Sequence, residues 1–170
     1  MQPDEANGND RSASKQVVDD VDRKVLASLA EDCRLSHREI ARRIGVAPGT
    51  VSQRIERLEE HGVIAGYHAA IDPERLGFNT TALIGLQVTQ GGSAQETIDQ
   101  LYAIPEVRSV SLVTGQWDFV VELQIRDQDH LREVLLGEVW RLPPFRHSET
   151  MIVLERVERP ASWFAVDAGG

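Results

Sequence analysis

The run IARRIGVAPGTVSQRIERLEEHGVI, residues 40–64, decides how this chain is read. It holds four arginines, Arg42, Arg43, Arg54 and Arg57, inside a protein of formal net charge −9. Gly45 and Pro48 divide it into two short stretches of helix formers. Just ahead, Ser36 and Glu39 make an S-x-x-E pattern, in which each residue satisfies a free backbone N–H of the other, so a helix begins there. Ile40, Ala41 and Ile44 form its inner side. Gly45 ends it, because glycine accepts the left-handed backbone that a sharp turn needs. The next helix starts near Pro48, whose missing N–H is not required in a first turn. Ala47 stands where a Ser or Thr cap would be better, so packing must hold that start. Val51, Ile55 and Leu58 recur at helical spacing and point inward, and Gly62 closes the helix after His61.

Two short helices around a glycine turn, sharing one apolar stripe, make a helix-turn-helix pattern. With the stripe turned inward, Pro48, Gly49, Thr50, Gln53, Arg54 and Arg57 are left toward solvent. That set is short, polar and basic, which suits a helix lying in the major groove of double-stranded DNA. Thr50 and Gln53 can touch base edges, and Arg54 can read guanine or hold a phosphate. Arg38, Arg42 and Arg43 on the preceding helix would lie against the backbone, positioning without reading sequence. An earlier helix is expected over residues 20–30, with Val21, Val25, Leu26 and Leu29 at helical spacing and Asp19, Asp20 and Asp22 at its N-terminus. The competing reading is a three-helix bundle with a solvated arginine face.

Charge supports the DNA reading. Residues 1–33 carry −4, residues 34–57 carry +4, and residues 58–170 carry −9. A basic island in an acidic chain is the footprint of a nucleic-acid-binding module. No apolar run approaches the ~20 residues of a membrane span, so no membrane partner is expected. The polar start, residues 1–18, reads as a flexible tail rather than a secretory signal. One cysteine, Cys33, excludes an intramolecular disulfide and a Cys-built metal site; it fits a reducing cytoplasm and is expected to serve packing. No metal spacing, nucleophile triad or phosphate loop is present, so no cofactor is expected.

Past the helices the pattern changes. Residues 66–80 read as a connector strand or hinge, punctuated by Asp72-Pro73 and Gly77. TALIGLQVT (81–89), VRSVSLVTG (107–115), WDFVVELQI (117–125) and HSETMIVLERV (147–157) read as strands. Helices lie between the first pair and the last pair, ended by Pro105 and by Pro143-Pro144. The order β-α-β-β-α-β is a ferredoxin-like split arrangement, so the fold class is α+β, a helix-turn-helix followed by an antiparallel sheet with helices on one face. Both rows of the first strand hold apolar residues, Ala82, Ile84, Leu86 and Val88 on one side and Leu83 and Gly85 on the other. A second copy of the chain is expected to cover the free face. A symmetric dimer would present two recognition helices to a palindromic operator.

DDVDRKVLASLAEDCRLSHREIARRIGVAPGTVSQRIERLEEHGVIAGYHAAIDPERLG, followed by VTGQWDFVVEL and HSETMIVLERV, resembles the Lrp/AsnC ("feast/famine") transcription regulators over residues 19–157. The resemblance implies a winged helix-turn-helix ahead of a βαββαβ ligand-sensing domain. It also implies dimers that assemble further, commonly into octamers, and amino acids or related small molecules as effectors. In that family the effector lies between subunits near a G-x-x-D loop, a pattern matched here by Gly115, Gln116, Trp117 and Asp118. On its own chemistry, Gly115 allows a tight turn with exposed N–H groups for a carboxylate, and Asp118 can hold an ammonium. The alternative is a plain turn, with Asp118 a turn residue and Trp117 interface packing. Ser148 and Thr150 match the family's T-x-T positions, with serine for the first threonine. Trp117 departs from the smaller residue the family often has there.

The organisation expected is a tail over 1–18, a DNA-binding domain over 19–65, a connector over 66–80, an effector-sensing and oligomerisation domain over 81–158, and a C-terminal tail over 159–170. Trp163 and Phe164 in that tail are expected to pack onto a neighbouring subunit. The sirohaem decarboxylases, enzymes of similar architecture, use histidine, tyrosine and arginine around a tetrapyrrole. Here His37, His61, His68, His130 and His147 are scattered, and His130 is expected on an exposed helix start. Tyr67-His68 fits a connector. A sensing partner that has lost DNA binding is the third reading, opposed by the retained Gln53, Arg54 and Arg57.

Overall fold

Local chemistry at the helix ends sets the first three elements. In the computed structural model, which describes residues 18–89, 93–142 and 145–165, α1 runs Asp20–Glu31, α2 His37–Ile44 and α3 Pro48–Glu60. α1 starts on a reciprocal cap. The Asp19 side chain accepts the Asp22 N–H, and the Asp22 side chain accepts the Asp19 N–H, both at 2.9 Å. α2 starts on the Ser36–Glu39 capping pair and stops at Gly45, whose φ of 75° lies in the left-handed region that favours glycine. α3 has Pro48 in its first turn and no side-chain cap at Ala47, so packing secures its start. That packing is a cluster of Val25, Ile40, Ala41, Val51 and Ile55, flanked by Leu29, Leu35, Ile44, Val46 and Ile64. Leu58 is buried as well.

Two expectations for this half are corrected. Cys33 is exposed rather than packed. It follows the end of α1, in a turn where Asp32 accepts the Arg34 N–H at 2.9 Å, and that turn carries the thiol outward. The connector is not a strand: residues 65–79 hold none. Asp72 accepts the Glu74 N–H at 3.0 Å and starts a 3₁₀ turn, Glu74–Leu76, which Gly77 ends at φ 87°.

The sheet unit covers residues 70–156. Its strands are β1 (Thr80–Val88), β2 (Val107–Leu112), β3 (Phe119–Ile125) and β4 (Phe145–Ile152), with α4 (Ala94–Tyr102) and α5 (Gln128–Gly137) between them. The order across the sheet is β2-β3-β1-β4, all antiparallel. Residues directly opposite in such a ladder share a face. Ala82, Ile84 and Leu86 stand opposite Leu123, Val121 and Phe119, and all six are buried with Leu101 of α4 and Val134 of α5. Complete burial of side chains of this size contributes about 1.5–3 kcal/mol each. Residues 90–92, Pro143, Pro144 and nearly all of the expected N-terminal tail fall outside the described residues.

His130 corrects a third expectation. It lies in the first turn of α5 but is buried, with Nε2 3.1 Å from Glu106 Oε1 and Nδ1 3.2 Å from the Arg126 N–H. The backbone N–H can only donate, so Nδ1 accepts and Nε2 carries the hydrogen toward Glu106. The ring therefore ties the start of α5 to the segment before β2.

Residues 157–165 cluster with the helical unit. The turn Trp163–Ala165 packs on α1, with the Trp163 and Phe164 rings edge to face at 6.3 Å. Phe164 is half-buried within its own chain and Trp163 is exposed.

Candidate nucleic-acid interface and effector turn

The buried stripe of α3 fixes which side chains are presented. Val51, Ile55 and Leu58 are inside, so Pro48, Gly49 and Gln53 are exposed and Thr50 is half-exposed. On α2, the burial of Ile40 and Ala41 leaves Arg38, Arg42 and Arg43 outside. Arg43 reaches Glu31 at 3.4 Å, a surface pair of little energetic weight. These residues form one polar and basic surface across two helices.

Arg54 and Arg57 differ from the rest of the set. Both are half-buried and engaged by α1. Arg54 Nη1 donates to Asp22 Oδ1 at 3.1 Å and also to Asp19 Oδ2, while Arg57 Nη2 donates to Asp22 Oδ2. The Asp22 side chain is fully buried, so its charge is stabilised by two guanidinium groups and the Asp19 N–H. The Asp22 N–H and the Arg54 guanidinium hold the Asp19 carboxyl at about 2, below its ordinary 3.8. The sequence reading placed these acids only at a helix terminus. Their three-residue spacing signalled the cap, but not the arginines thirty-odd positions away.

The second candidate region is the turn between β2 and β3. Gly115 is exposed at φ 122°. Asp118 ties the turn to β1 twice, its N–H donating to Leu86 O and its carboxylate accepting the Val88 N–H, and its carbonyl closes the turn by accepting the Val113 N–H, each at 2.9 Å. The Gln116 carbonyl accepts from the Gln87 side chain. Trp117 stacks on His147, with ring centroids 5.3 Å apart and planes 10° from parallel, and its indole lies directly over Gly85.

Ser148 and Thr150 do not join that group. They stand opposite Leu86 and Ile84 and share the helix-side face. His147 stands opposite Gln87, so Trp117 and His147 lie on the other face. The fold thus brings Gly115, Gln116, Trp117 and Asp118 together with His147, a residue the sequence reading left out. A glycine inside β1 was its one signal, since strand glycines mark close approach. Of the Tyr67-His68 pair, the Tyr67 hydroxyl donates to Glu59 at 2.8 Å.

Residues 18–65 match a family model described as winged helix-turn-helix DNA-binding, and residues 81–162 match one described as the Lrp/AsnC ligand binding domain. HTH-type transcriptional regulator Ptr1 of Methanocaldococcus jannaschii is 33% identical over 138 residues, 81% of this chain and 93% of the relative. Among solved structures, Escherichia coli AsnC superposes with a TM-score of 0.78 at 26% identity, over 84% of this chain and 96% of that one. A feast or famine regulatory protein from M. tuberculosis, complexed with L-methionine, gives a TM-score of 0.74 at 29% identity, over 83% and 95%.

Proposed function

The chain belongs to the Lrp/AsnC family of DNA-binding transcription regulators, and we propose that it reads a palindromic operator with the exposed face of α3 and answers to an amino acid bound at the Gly115–Asp118 turn. The observation that carries the first half is the division of α3. Its apolar stripe is buried, while Gly49, Thr50 and Gln53 project beside the arginines of α2. Thr50 and Gln53 contact base edges; Arg38, Arg42 and Arg43 hold phosphates. Arg54 contributes through its guanidinium, whose Nη1 Asp19 and Asp22 share in the free protein.

An amino-acid effector is supported by the L-methionine complex of the M. tuberculosis relative. In this chain Gly115 offers backbone N–H groups to a carboxylate, and Asp118, Gln116 and Trp117 complete the turn. Ser148 and Thr150 take part from the opposite face of the sheet through a neighbouring subunit. A homodimer, assembling further, is supported by the uncovered sheet face, where Leu83 and Val120 are only half-buried and Met151 is exposed. The protein acts in the cytoplasm and is not an enzyme; no described helix is long and apolar enough to cross a membrane.

Titrating the purified protein against the promoter region of its own gene, with and without pooled amino acids, tests this reading. Specific binding that shifts with one amino acid supports both halves. Binding indifferent to every amino acid retains the DNA reading and removes the effector from the Gly115–Asp118 turn. Absence of binding at low salt removes α3 from DNA.

A further inference from the structure

We propose that Asp19 is a specificity-determining residue: it occupies Arg54 in the free protein and so suppresses binding to DNA of arbitrary sequence. The inference rests on the reading that α3 faces DNA. Its basis is the unequal setting of the two carboxylates that share Arg54. Asp22 is fully buried and committed to Arg57 and the Asp19 N–H, so it cannot be given up without unpacking α1 from α3. Asp19 is half-exposed. One oxygen caps the Asp22 N–H, and the other takes the Arg54 guanidinium. That second oxygen stands where a DNA phosphate oxygen would bind the same donor, since arginine meets carboxylate and phosphate with one geometry.

A phosphate can therefore replace Asp19 at Arg54 while Asp22 keeps the side chain oriented. On DNA of arbitrary sequence, phosphate contact is nearly all that is gained, and the exchange of one anion for another leaves little advantage. At an operator, base contacts by Thr50 and Gln53 add to it, and the exchange is carried along. Asp19 thus lowers affinity most where affinity is purely electrostatic.

Asp19→Asn isolates this role, because asparagine caps a helix as well as aspartate does but carries no charge. Asp20→Asn is the control. Asp20 is exposed beside it and makes no ion pair among the described residues, so it changes net charge equally. The measurement is affinity for random-sequence duplex DNA across a salt series, with thermal melting to verify folding. Asp19→Asn is expected to bind about 2- to 5-fold more tightly, as an exposed ion pair allows, and to steepen the slope of log affinity against log salt by about 0.9, one further phosphate. Asp20→Asn should do less, and in an Arg54→Gln background Asp19→Asn should give no gain. Equal effects of the two asparagines, or a gain that survives without Arg54, overturn the proposal, as does weaker binding by Asp19→Asn. If Asp19→Asn unfolds the protein, Asp19→Ser, another good cap, takes its place under the same criteria. Arg54→Gln alone, measured on the promoter region of the protein's own gene, separates the premises: no loss of affinity there means that Arg54 does not meet DNA, whereas loss there with a neutral Asp19→Asn on random-sequence DNA defeats only the competition.

Discussion

Trp117 lies so close over Gly85 that a Cβ added to residue 85 would fall 2.5 Å from the indole Cδ2. The strand glycine and the tryptophan at position 117 are therefore one feature. The missing side chain of β1 makes the bed for the indole, and His147 stacks on the ring. Gly85→Ala should expel the indole and destabilise the sheet unit by about 1–3 kcal/mol, the usual cost of overpacking. Adding Trp117→Ala should recover most of that loss, a non-additivity expected of residues in contact. Denaturant melts of the three variants measure it. Additive losses would mean that the two residues do not touch.

Asp22 should matter more for stability than its position in a helix terminus suggests. Asp22→Ala removes the carboxylate that pairs with Arg54 and Arg57 and accepts the Asp19 N–H, leaving both guanidinium groups without it, and should cost about 2 kcal/mol or more. The half-exposure of both arginines keeps the figure below that of a wholly buried network. The midpoint of thermal unfolding checks this; a change within about 0.5 kcal/mol, typical of surface sites, would show the contact to be idle.

The low value of Asp19 sets a pH window. Its folded value of about 2 lies below the ordinary 3.8, so the folded state binds the proton less readily than the unfolded chain does. The stabilisation is fully present above 3.8 and is lost as pH falls toward 2. Melting temperatures across that interval should fall, and Asp19→Asn should fall less steeply over it. Parallel curves for the two proteins would contradict the assignment.

Thr50 and Gln53 are expected to read sequence. Replacing either by alanine should cost about 1–3 kcal/mol at the specific site on the gene's own promoter, with random-sequence DNA bound as before. Competition between the two DNAs gives the ratio directly. Equal losses on both would assign these side chains to the backbone.

What was legible in the sequence was what neighbours along the chain decide. Ser36 with Glu39, Gly45 and Pro48 mark helix ends by chemistry acting within one turn. The runs 107–115 and 117–125 were legible as two strands because β-branched and apolar residues fill them and a glycine separates them. What stayed hidden depends on pairing over distance. His130 is buried by Glu106, 24 residues earlier. Arg54 meets Asp19 across 35 positions. Ser148 and Thr150 fall on the face opposite Trp117 because of the register of β4 on β1, which is set by pairing and not by composition.

Salt dependence of binding to the promoter region tests the DNA-facing surface most directly. Each phosphate neutralised adds about 0.9 to the slope of log affinity against log salt, so replacing Arg42 and Arg43 together by alanine should lower that slope by about 1.8. A slope unchanged in the double variant, with folding intact, would contradict the placement of α2 against the DNA backbone and with it the surface proposed for recognition.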